Sequence, residues 1–230
     1  MLAATLVAVI ATVGAPAYAA RPFQPTCKSG RTLFRQGDIR AFWVSFNDIQ
    51  VQGDHQELLA CLHRRGRPVV LYDPGPFNYV QGERFHLIHN RLGFVVHDQG
   101  FDNGSETDVG WVALHTADVR IGLLNAGENG SASDPQLPED SIAYAIAPDG
   151  GMAVIAGSDC QVVASLKLLA KPIGGFYGLS NPIVLFGAPG GGLNSSSIAI
   201  DFTTVWWRTT SGVSGSAPRS GLPRSQIASC

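Results

Sequence analysis

Past residue 20 the sequence contains no uncharged apolar run long enough to span a bilayer, which takes about 20 residues. Charge is scarce as well. Asp, Glu, Lys and Arg make up 15% of the chain, the formal net charge is −2, and the longest basic run is Arg64-Arg65-Gly66-Arg67. Nucleic acid is thereby excluded as a main partner, since it requires a concentrated basic face. No C-x-x-C pair exists, so zinc ribbons and thioredoxin-like redox sites are unsupported. Gly187-Ala-Pro-Gly-Gly-Gly192 lacks the Lys-Ser/Thr of a phosphate loop, and Gly212-Val-Ser-Gly-Ser216 is not the G-x-S-x-G of a nucleophile elbow. Apolar residues at helical spacing are almost missing. No catalytic residue and no cofactor is assigned.

What is present begins with residues 1–19. Leu2 to Gly14 is uncharged and built almost wholly of Ala, Val, Leu, Ile and Thr. That length fits the apolar region of a secretory signal. Pro16 breaks the helix, and Ala17-Tyr18-Ala19 supplies the small-x-small pattern for cleavage after Ala19. The one departure is the lack of Lys or Arg before the apolar run. No Cys follows the cleavage point, which argues against a lipid anchor. The expected mature chain of about 210 residues suits one domain, secreted or held at the cell envelope, with no stable membrane span. With 27 Gly and 14 Pro, it favours short strands joined by many turns.

Four cysteines remain: Cys27, Cys61, Cys160 and Cys230. An even number in an exported chain suggests two disulfides, with three connectivities open. The preferred pairing is Cys27–Cys61 with Cys160–Cys230. The first closes a loop of about 34 residues, and the second pins the C-terminus.

From residue 20 to 210 the pattern is short alternating runs with a turn every eight to ten residues, the mark of an all-β domain. The runs recur in order. Arg31 to Val44 turns at Gln36-Gly37-Asp38, and Leu58 to Tyr72 turns at Arg65-Gly66. Phe85 to Val96 and Trp111 to Leu124 repeat that pair. A third copy opens at Ile142 to Ile155, with a Pro148-Asp149-Gly150 turn in which Pro presets φ and Gly accepts φ > 0; Cys160 to Leu166 follows it. Ser197 to Arg208 starts a fourth. The turn centres Asp38, Asn90, Asp149 and Phe202 are 52, 59 and 53 residues apart. Units near 31–73, 84–125, 142–170 and 197–222, each of up to four strands, predict a propeller-like stack of about four short antiparallel sheets. The alternative is a β-sandwich made of the same strands. Residues 211–230 form a Ser/Gly/Pro-rich tail, expected to be poorly ordered.

The run Ala60-Cys61-Leu62-His63-Arg64-Arg65-Gly66-Arg67, the early Cys27, the aromatic x-G-x-V strands, and the closing unit Ser197–Ile200, Val205-Trp206-Trp207 and Pro218-Arg219-Ser220 carry a resemblance. Over most of residues 27–222 the chain resembles uncharacterised exported proteins of high-GC actinobacteria with degenerate propeller-like repeats. The resemblance implies fold and location and brings no enzymatic activity. Gly174 to Asn194 departs from the pattern.

Several residues invite a site. His86, His89, His97 and His115 fall in the second unit. On a strand His86 and His89 have opposite parity, which is poor spacing for one ion. His97 and His115 are positioned to meet across neighbouring strands. Zinc needs three or four convergent ligands, so these read as strand histidines and no metal is assigned. Asp98, Asp102, Glu106 and Asp108 offer oxygens to Ca²⁺. The segment departs from an EF-hand at Gly100 and Val109 and reads as a solvated loop. Trp206-Trp207 points two indoles to opposite faces of one strand. One belongs to the core; the other either packs too or lies on a binding face, for instance against a sugar ring. The leading expectation is an exported, non-catalytic module that binds an extracellular protein or glycan, or plays a structural part outside the cell. The alternative is an extracellular hydrolase or lyase with a site around residues 97–115, which requires those side chains to share one pocket.

Overall fold

The computed structural model describes residues 24–48, 53–62, 66–75, 79–99, 105–126, 143–157, 160–166, 168–170, 183–189 and 192–221. The expected signal segment lies outside them, as does Cys230.

The described chain is all-β, in four antiparallel sheets that do not close on themselves. The first sheet holds β1 (Arg31–Gln36), β2 (Ile39–Asp48), β3 (Gly53–Cys61) and β4 (Val69–Tyr72) in chain order. The second holds β5 (Tyr79–Ile88), β6 (Arg91–Gln99), β7 (Ser105–Ala113) and β8 (Val119–Ala126). The third is built from β9 (Ala143–Ile146), β10 (Met152–Ala156) and β11 (Cys160–Leu166). The two-residue β12 (Leu169–Ala170) then crosses back to the edge of β8, and β13 (Ile183–Pro189) completes the third sheet beside β11. A 3₁₀ turn precedes the fourth sheet of β14 (Ala199–Ile200), β15 (Thr204–Arg208) and β16 (Ser214–Pro218). Asp38, Asn90, Asp149 and Phe202 each sit in the turn between the first two strands of a sheet.

Strand parity explains how the sheets stack. In β6, Leu92, Phe94 and Val96 face one way, into a core shared with Ile39, Ala41, Leu58 and Ala60 of the first sheet. Val95 faces the other way, with Val109 and Trp111, against Met152, Val154 and Ala156 of β10. The remaining β10 residues, Ala153 and Ile155, pack with Val205 and Trp207 of the fourth sheet. All five β10 residues are therefore buried, which accounts for its unbroken apolar run. There are three inter-sheet cores in a row, so a two-layer sandwich does not describe the chain. Close approach between the second and third sheets depends on Gly93: a Cβ there would lie 2.6 Å from Cε2 of Tyr144.

A second layer covers the far side of the first sheet. Phe42, Val44, Leu59 and Cys61 are buried there, with Cys27 against them. Cys27 and Cys61 form the expected disulfide. Arg40 fastens the same segment: its Nη1 donates to the Cys27 carbonyl (2.6 Å) and its Nη2 to the Gly30 carbonyl (2.9 Å). The guanidinium also lies 4.3 Å from the centre of the Phe42 ring, a cation–π contact. The expected Cys160–Cys230 pair lies outside the described residues.

Two segments differ from the sequence expectation. Gly174 to Asn194 contains β13, a full strand of the third sheet. Ser214–Pro218, expected within a disordered tail, is β16 and pairs along all of β15. Backbone groups make that pairing whatever the side chains are. A small residue is required here, because a Cβ at Gly215 would meet the Trp207 indole at 2.5 Å.

Candidate functional site

The Asp98–Asp108 segment is the end of the β6–β7 hairpin. Asp98 and Asp108 are buried on the side facing the first sheet, and Asp98 Oδ2 accepts from the Tyr72 hydroxyl at 3.1 Å. Asp102 lies outside the described residues. His97 points to the opposite side of the sheet, within 3.0 Å of Thr107 Oγ1 and 3.3 Å of Glu83 Oε1. His115 is in the β7–β8 turn at the far end of that sheet. His86 is exposed beside the Tyr144 ring. His89 is not on a strand face at all; it occupies the β5–β6 turn with φ 54°. Among the described residues, therefore, His97, His115, Asp98 and Asp108 are not brought into one pocket; the Glu106 side chain, like Asp102, lies outside them.

It does bring together three residues that the sequence reading passed over: His55, Glu57 and Asp73. His55 and Glu57 are two apart on β3 and so share a face, the one turned away from the second sheet. Asp73 joins them through a bulge. Along β3 and β4 the pairs run Ala60 with Val69 and Leu59 with Val70, then skip Leu71, so that Leu58 pairs with Tyr72. The extra residue reverses the parity of every residue beyond it. Leu71 and Tyr72 both enter the inner core, and Asp73 emerges opposite Glu57 rather than on the other face. One ligating atom from each of the three residues lies within 4.8 Å of the others. His55 Nε2 is 2.7 Å from Asp73 Oδ1, which also accepts from the Gly75 amide at 3.2 Å. The Phe46 ring stacks on the imidazole at 4.9 Å between centres and 13° between planes. Glu57 is fully buried, His55 nearly so, and Asp73 borders solvent.

Two of the hollows among the described residues lie elsewhere. One, of ≈ 580 Å³, lies among the turns of the second, third and fourth sheets and carries Arg91, Arg120 and Arg219 with Asp118 and Asp149. Its charges are engaged: Arg120 binds Asp118 (3.0 Å), Arg219 binds Asp149 (2.8 Å), and Arg91 lies over the Trp111 ring. Trp111 Nε1 donates to the Gly150 carbonyl. Partial burial opposes ionisation of Asp149, but the Gly151 amide and Arg219 outweigh it and hold the carboxyl below its ordinary value. Nearby, burial pushes the Tyr144 phenol well above its ordinary value, so it stays protonated and donates to the Arg84 carbonyl.

The other hollow, of ≈ 500 Å³, lies on the fourth sheet and is lined by Asn194, Ser196, Trp206, Arg208 and Ser214 among others. The tryptophan pair divides as parity requires. Trp207 is 5% exposed, in the core against Phe186; Trp206 is 40% exposed.

Compared with known proteins, the chain matches no family model, no curated protein and no solved structure. Among the described residues no helix is long and apolar enough to cross a membrane. The class established is thus an all-β chain of four stacked antiparallel sheets with a Cys27–Cys61 disulfide.

Proposed function

We propose that the chain is an exported, non-catalytic β-repeat module that binds a glycan outside the cell through the exposed face of its last sheet. The reading rests on Trp206. Its large indole stands half in water beside a neighbour that is core. A pyranose ring covers such a surface with its C–H face, while Asn194, Ser196 and Arg208 around the hollow offer hydrogen bonds to ring hydroxyls.

The same reading takes the sheets as degenerate units of an open, propeller-like stack. The four turn centres, each in the first hairpin of a sheet, support it, as do the cores between successive sheets. Trp43, Phe94 and Trp206 all lie in second strands. They do not share a face: Phe94 points back to the preceding sheet and Trp206 points onward, so the units agree in strand order more than in side-chain pattern. Export is supported by the apolar segment before Ala19 and by the disulfide, since such bonds persist in oxidising compartments.

The test is sedimentation of the untagged mature chain with insoluble chitin, cellulose and bacterial cell-wall glycan. Retention on at least one, weakened tenfold or more in Trp206→Ala, is the expected result. Equal retention of Trp206→Ala and wild type, or no retention on any glycan, refutes the reading.

A further inference from the structure

We propose that His55, Glu57 and Asp73 bind one divalent first-row transition-metal ion, Zn²⁺ or Mn²⁺, on the outer face of the first sheet. The proposal does not depend on glycan binding, which concerns the opposite end of the molecule.

The donors come from two strands and converge to within 4.8 Å. Ligands about 2.0–2.2 Å from a tetrahedral ion stand about 3.3–3.6 Å apart. Closing on an ion therefore needs shifts of about an ångström at carboxylate tips, with the backbone staying in place. One imidazole nitrogen and two carboxylates suit Zn²⁺ or Mn²⁺. Ca²⁺ and Mg²⁺ are hard ions that seek all-oxygen shells. Three protein ligands leave a position for water, and Asp73 is the ligand at the solvent border.

The supporting contacts are those that tune metal sites. The Gly75 amide donates to Asp73 Oδ1, fixing that carboxylate. The stacked Phe46 ring fixes the plane of the imidazole. The hydrogen bond between His55 Nε2 and Asp73 Oδ1 already holds two of the donors against each other. An entering ion takes the place of the proton in that bond: in a neutral ring that proton moves to Nδ1, and from an imidazolium it leaves to solvent, so the ligand is a neutral imidazole in either case. The bulge at Leu71 supplies an argument of its own. Bulges often serve to re-aim a side chain, and this one carries Asp73 across the sheet to meet the other two.

Calorimetric titration of the chelator-stripped, untagged mature chain with ZnCl₂, and separately with MnCl₂, tests the proposal. Uptake of one ion per chain is expected, with a rise in melting temperature on saturation and no comparable response to CaCl₂. Asp73→Asn is expected to weaken binding at least tenfold and abolish the thermal shift, while His115→Ala leaves both unchanged. Asp73 borders solvent, so its variant keeps the test usable if His55→Ala or Glu57→Gln fails to fold. No stoichiometric uptake of either ion, or uptake that Asp73→Asn does not weaken, overturns the proposal.

Discussion

Trp206 and Trp207 are chemically identical and adjacent, so they separate location from residue type. Truncating Trp207 removes an indole from the core between the third and fourth sheets, where it stacks on Phe186 with ring centres 5.4 Å apart. A buried tryptophan covers roughly 150–250 Å², worth about 4–6 kcal/mol at ~25 cal/mol per Å². Measured truncations of this kind cost about 3–5 kcal/mol. The loss here belongs at the upper end, because the strand beneath the ring presents Gly215 and has no side chain to move into the cavity. For a domain of this size that lowers the melting temperature by roughly 6–20 °C. Trp206→Ala gives up a partly wet surface and is expected to cost about 1 kcal/mol. Urea unfolding followed by far-UV circular dichroism measures both variants at matched slopes. Equal losses, or a greater loss for Trp206→Ala, refute both the parity argument and the assignment of a free face to the last sheet.

Three further outcomes are expected from the packing and charge. Replacing Cys27 and Cys61 together by Ala opens a loop of 34 residues and is expected to destabilise the chain by about 3–4 kcal/mol, read as a melting shift that reduction of the wild type reproduces. Gly93→Ala drives a methyl into Tyr144 and Ile146 between the second and third sheets; a loss of about 1–3 kcal/mol is expected in the same unfolding assay, and none would mean those sheets do not pack closely. Asp149 has a depressed pKa, so its contribution is present above the ordinary carboxyl range near pH 4 and is lost as pH falls through its lower folded value. Asp149→Asn should therefore flatten the fall in stability as pH drops below the ordinary carboxyl range near 4, and a slope unchanged from wild type would contradict the Arg219 pairing.

The legible parts of this fold were those carried by turn chemistry and parity. Pro148-Asp149-Gly150 marked its hairpin because Gly150 has φ 91° and its amide closes the turn on the Ala147 carbonyl. Cys27 and Cys61 paired as expected. β12 and β16 were not legible: a two-residue strand has no period, and Ser214–Pro218 has almost no apolar side chains to show one. The His55 cluster was half legible. His55 and Glu57 announce a shared face by spacing alone. Asp73 does not, because simple alternation along β4 assigns it to the other face, and only the skipped Leu71 corrects that. The acidic hairpin misled for the opposite reason. Asp98 and Asp108 look like the ends of a solvated loop, yet strand parity turns both inward, where Asp98 accepts from the Tyr72 hydroxyl.

The two ends of the stack are finished differently. Cys27, its disulfide and the Arg40 hydrogen bonds lie over the outside of the first sheet, while the outside of the last carries Trp206 half in water. In a molecule whose layers touch mainly their neighbours, stability propagates from one layer to the next. Such a chain has a preferred end from which to come apart. The three-stranded last sheet, packed among the described residues on one side only, frays first, and amide protection should rise layer by layer toward the clasped end. Proteolysis that begins at the C-terminus would meet progressively stiffer substrate and stall before the disulfide.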